Sequence, residues 1–139
     1  MWVVYAILSA VFAALVSIFA KIGLKDVDTT LATAVRAVVM ALFLVGVVLF
    51  TGKINMIGDI FGLSRTWVFI LLSGIAGALS WLFYFIAIRD GSVSPVVALD
   101  RTSVVFAIIF AALFLGETLT IKSVIGALLV LGGAILIAL

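Results

Sequence analysis

The sequence has no cysteine, no histidine, one proline and only 10% charged residues over its 139 positions. Without cysteine there is no disulfide framework, thiol nucleophile or thiolate metal site. Without histidine the commonest general base and the commonest metal ligand are both missing, so neither a metal nor a cofactor is expected. The eight basic and six acidic residues are scattered singly and sum to +2. No basic block suggests nucleic acid, and no polybasic stretch suggests anionic lipid headgroups. What is abundant is apolar surface, at 68% of residues. Soluble domains run at about 45–50% apolar and about 25% charged. Too little polar surface remains to cover a globule in water, so the expected partner is a lipid bilayer and the chain reads as an integral membrane protein.

Five apolar stretches approach the roughly 20 residues that a helix needs to cross a bilayer. They cover about 1–20, 31–50, 67–88, 95–115 and 121–139, which predicts an all-α bundle of five transmembrane helices forming a single domain over 1–139. Single charges and glycines punctuate them, as in Gly52-Lys53, Arg89-Asp90-Gly91 and Gly116-Glu117. The first stretch lacks a basic leader and outruns a signal-peptide core, so it reads as a retained helix. The long connection 51–66 carries Ile54, Met56, Ile57, Ile60 and Phe61, which suits a piece lying in the membrane interface or a plain loop. Pro95 fits a first helical turn, where its missing N–H is no loss.

An odd number of spans puts the termini on opposite sides. Lys53, Arg65 and Lys122 then flank one side, and Lys21, Lys25 and Arg89 the other. This tie gives the positive-inside rule no purchase and suggests insertion in both orientations. The corresponding expectation is an antiparallel homodimer, in which two inverted copies make ten helices with a site near the midplane.

The third helix has the clearest polar pattern. At about 100° per residue, Ser73, Gly77, Ser80 and Tyr84 fall within one arc, with Trp81 at its edge. Such a face can line a solute path, or its small residues can seat a neighbouring helix. Ser9 and Ser17 on the first helix present the same choice between cavity and packing. Trp2, Tyr5 and Trp67 lie near span ends as interfacial anchors. Arg36, Asp100 and Arg101 fall inside spans, where a charge requires a partner, a wet cavity or a route to the headgroups. Arg36 and Asp100 sit at a matched depth of about 7–8 Å on helices entering from one side, which suggests an ion pair. Gly116-Glu117 reads as a helix-end motif, with glycine as the stop and the anion near the start of the next helix.

Ala87-Ile88 ending one helix, Pro95 opening the next, Leu115-Gly116-Glu117 at its close and the glycine-rich run from Gly126 to Gly133 resemble the EamA domain of the drug/metabolite transporter superfamily. Trp2, Lys21 and Arg36 are similar to that domain as well. The resemblance covers essentially the whole chain, in a short five-helix form. It implies half of a ten-helix inverted-repeat transporter around a central cavity. Many relatives have a proline in the middle of the fourth helix, where this chain has Asp100-Arg101-Thr102-Ser103. The first span also lacks the acid by which the related four-helix multidrug exporters couple protons.

The expected function is a secondary transporter or exporter of a small metabolite or drug-like solute, working as a dimer in the cell membrane (the cytoplasmic or inner membrane in a bacterium or archaeon). The alternative is a non-transporting membrane subunit or assembly factor. An enzyme is not expected. Intramembrane proteolysis requires two buried aspartates or a serine–lysine pair, and Asp100 is the one aspartate within a predicted span.

Overall fold

The computed structural model describes residues 1–62 and 64–139. Leu63 and the side chains of residues 59, 61 and 64 lie outside the described residues, and with them Phe61 of the expected interfacial stretch. Among the described residues the chain is helical throughout: α1 (Trp2–Gly23), α2 (Thr29–Phe50), a 3-10 turn (Lys53–Met56), α3 (Ile57–Gly62), α4 (Ser64–Asp90), α5 (Val93–Asp100), α6 (Ser103–Leu115) and α7 (Ile121–Ala138). Among the described residues five spans are long and apolar enough to cross a membrane, with mean hydropathy between 2.0 and 2.5: Trp2–Gly23, Thr29–Phe50, Arg65–Asp90, Val93–Leu115 and Ile121–Ala138. The protein is a multi-pass membrane protein. Most of its large apolar side chains point outward, as a bilayer solvent requires.

Helix ends follow local chemistry. Asp28 accepts the Leu31 N–H at 2.9 Å and starts α2 two residues before the apolar run. Gly116 stops α6 in the left-handed region at φ 68°, which a side chain would strain, and the next amide, of Glu117, returns to Ala111 O. The cap of α7 is Thr120, whose hydroxyl accepts the Ser123 N–H at 3.2 Å. Gly116 and the Glu117 amide thus close α6 as the helix-end motif suggests, while Thr120 and not the Glu117 carboxylate caps α7. The carboxylate lies four residues ahead of Ile121, too far back along the chain to cap the first turn. The 51–66 connection begins as short helical pieces that leave Ile54, Met56, Ile57 and Ile60 exposed.

The chain divides into two compact units, residues 1–25 with 87–139, and residues 26–86. In the first, α7 packs along α5 and α6, and α1 meets α5. Small side chains make this possible: Ala127 and Ala134, two turns apart on α7, are buried, as are Ser17 and Ala20 on α1. Lys21 closes the unit. Its Nζ donates to Ile88 O, Arg89 O and Gly91 O, each at 2.9 Å, and so satisfies carbonyls that the end of α4 leaves open. The turn that follows has no room for a larger residue at Gly91. A Cβ there would stand 2.8 Å from Val96 Cγ2 and 3.0 Å from Ala87 O.

The span expected as one helix over 95–115 is two helices. Thr102 donates to Leu99 O through both its N–H, at 3.0 Å, and its Oγ1, at 2.7 Å. Val104 and Val105 also take carbonyls three residues back, at 3.2 and 2.9 Å. One turn is thereby tightened to 3-10 spacing and the α-helical ladder is interrupted. A threonine hydroxyl competing for a backbone carbonyl achieves here, inside a span, what a proline imposes elsewhere.

In the second unit α2 and α4 are the long helices, and the 3-10 turn packs against α2 and α3. Along α4, a Cβ added at Gly74 or Gly77 would meet nothing within 4 Å.

Candidate solute groove

The open stretch of α4 and the facing side of α2 enclose a groove of about 680 Å³. Volumes of roughly 300–1,000 Å³ are usual for small-molecule sites. On α4 it is lined by Ser73, Gly77 and Trp81, which recur every fourth residue and therefore keep to one side of the helix. On α2 it follows Thr33, Arg36, Met40 and Leu44, with the alanines between them. Alanine and glycine on both walls leave out the volume that larger side chains would fill.

Trp81 is held at one end by its neighbours. Its ring meets Tyr84 edge-on at 5.5 Å between centroids and an interplanar angle of 80°, and Phe85 at 5.9 Å and 89°. Those contacts leave one indole face open, and Arg36 covers it with its guanidinium carbon 3.7 Å from the ring centroid. Phe85 lies farther off, at 5.4 Å. Arg36 is thus stacked on an aromatic face, an arrangement that stabilises a cation without neutralising it. Among the described residues it is the one charged residue that lines the groove.

The expected site residues separate in the structure. Ser73, Gly77, Trp81 and Arg36 come together on the groove. Ser80 is exposed outside its lining, and Tyr84 serves as a support for Trp81. Ser17 is buried and donates to Ala13 O at 3.0 Å, a bond within its own helix, whereas Ser9 is exposed. Asp100 is the half-buried last residue of α5, and Arg101 is exposed at the 3-10 turn that follows. Arg36, for which the sequence offers the carboxylate of Asp100 at equal depth, finds an aromatic face within its own unit. The α2 wall of Thr33, Met40 and Leu44 escaped the sequence reading. The signal that could have exposed it is the alanine series 34, 37 and 41, spaced three and four residues apart in an otherwise bulky span.

Five membrane-spanning helices, one of them interrupted, and an intramembrane groove of solute size define a helical membrane protein of the transporter class. The chain belongs to the EamA-like transporter family, whose pattern matches residues 1–139. It is 41% identical over 137 residues to an "Uncharacterized transporter in cobO 3'region" of Sinorhizobium sp, covering 99% of this chain and 96% of that one. No solved structure matches it. Family and relative both support a transport role and point away from enzymatic activity.

Proposed function

We propose that the chain is a secondary transporter that exports a small metabolite or drug-like solute across the cell membrane, with the α2/α4 groove on the solute path. The observation that carries this reading is the groove itself. An opening of about 680 Å³ with an arginine and an indole at one end is costly to maintain among lipid-facing helices and suits a guest. Purified protein in liposomes loaded with a panel of organic solutes tests it. One or more solutes should leave faster than from protein-free vesicles, and Trp81→Ala should slow that efflux several-fold in a protein that still inserts. Equal efflux from both proteins removes the groove from the path. A stoichiometric complex with another membrane protein, in native extracts and without flux, would favour an assembly factor.

The working unit is proposed to be an antiparallel homodimer. Support comes from the even split of flanking basic residues, the odd number of spans, and α7, where Gly126, Gly132 and Gly133 have open space around them. Exposed glycines on a membrane helix let a second helix approach closely. A cysteine placed after Leu139, in a chain that otherwise has none, should be labelled from both faces of intact cells. Labelling from one face alone defeats the inverted arrangement.

A further inference from the structure

We infer that the solute is an amphipathic organic anion, bound with its carboxylate on Arg36 and its apolar body along α2 and α4. The inference rests on the reading of the groove as the solute path and names the class of solute that the path selects.

The argument starts from the geometry of Arg36. A guanidinium is planar, and its five N–H donors lie in that plane. With its carbon 3.7 Å from the Trp81 centroid, the group lies over the indole ring, close enough for the contact to be made through the π surface. Among the described residues of this unit no carbonyl or side chain hydrogen-bonds it. The in-plane fork therefore stays available, and a fork of two parallel N–H donors matches the two oxygens of a carboxylate. A cation in a membrane span with no counter-charge among the described residues of its own unit favours whatever anion reaches it, and the low polarity of the surroundings strengthens the attraction.

The rest of the groove sets the remainder of the solute. Arg36 lies toward one end, with Thr30 and Thr33 on the same wall. Beyond it Met40, Leu44 and Leu79 offer only apolar surface, and Ser73 is the polar residue of the far end. The stretch from Arg36 to Leu44 runs about 12 Å along the helix, enough for a short acyl chain or a single ring. Among the described residues no acidic one lines the groove, so a cationic drug would meet a like charge and no counter-charge there. A neutral solute would leave the guanidinium fork unsatisfied.

Three probes with one apolar body and three charges separate these cases: hexanoate, hexanamide and hexylamine, each titrated at pH 7 into the purified protein in a neutral detergent. Hexanoate should bind and raise the melting temperature, and the amide and amine should bind roughly 10- to 100-fold more weakly, the range that follows from losing charge-assisted hydrogen bonds. Arg36→Gln should remove the preference for hexanoate, and Arg36→Lys should restore part of it, because a lysine keeps the charge without the fork. Equal binding of all three probes, lost in Trp81→Ala, overturns the anion assignment and leaves the groove as a solute site. Binding of none of them to the wild-type protein overturns both readings. A lipid phosphate is the rival occupant. If phosphatidylglycerol displaces hexanoate from the wild-type protein and raises its melting temperature only where Arg36 is intact, the site holds a headgroup and the solute assignment falls.

Discussion

Two cations, one in each unit, have opposite fates. Lys21 in the first unit spends its ammonium donors on three backbone carbonyls at 2.9 Å. Arg36 in the second lies over an indole ring and lines a groove. The surroundings differ in the same sense. Around Lys21 the chain is closed, with Leu24 and Ile88 buried and no space for a Cβ at Gly91. Along the groove, Gly74 and Gly77 face open space. A charge consumed by the backbone is a strut. A charge whose donors stay available beside a cavity is, on the reading proposed above, a receptor for something from outside the chain.

The comparison can be broken by substitution, beginning where the largest effect is expected. Lys21→Met should cost about 2–3 kcal/mol, since it strips charge-assisted bonds from partly buried carbonyls. Denaturant unfolding in detergent measures this. A loss no greater than that of Arg36→Gln would mean that the first unit is not the more tightly tied. Gly91→Val comes next, at about 1–3 kcal/mol for overpacking, because the Cβ alone already reaches Val96 Cγ2 and Ala87 O. The relevant reading is the melting temperature, and an unchanged value would show that the turn can move.

In the second unit the stability effects should be smaller and the binding effects larger. A double-mutant cycle of Arg36→Gln with Trp81→Ala should give a coupling of about 0.5–2 kcal/mol, the range of a cation–π contact between exposed and desolvated limits. Additive losses would mean that the stacking contributes nothing. The same cycle run with Asp100→Asn tests the ion pair suggested by matched depth, which predicts that the double substitution recovers part of the single losses. Thr102→Ala should be the mildest change, about 1 kcal/mol or less for one hydroxyl bond. It should also relax the 3-10 turn toward a continuous helix. Distances between spin labels placed on α5 and α6 report that directly, and an unchanged distribution would assign the break to other causes.

Apolar length and glycine stops could be read from the sequence because each depends on residues adjacent in the chain. The five spans, the glycine ending α6 and the family resemblance all have that character. Arg36 was found as well, since a lone arginine in an apolar run needs an explanation wherever it sits. Its aromatic neighbour was not found, because the indole of Trp81 had been assigned only to a face of its own helix. The 3-10 turn was missed because Asp100-Arg101-Thr102-Ser103 contains no proline. Only the competition of the Thr102 hydroxyl for Leu99 O reveals the break.

The sequence by itself determined that this protein lies in a membrane, how many times it crosses, and to which family it belongs. Transfer of apolar residues into hydrocarbon is a sum over consecutive positions and needs no knowledge of what packs against what. Tertiary structure decided which charges are satisfied internally. Lys21 reaches carbonyls 67 to 70 residues away, and Arg36 meets an aromatic ring on another helix. Hydrogen bonds and cation–π contacts act over a few ångströms between groups that only folding brings together. The difference between a cation tied to carbonyls and one lying over an indole is therefore absent from composition and periodicity alone.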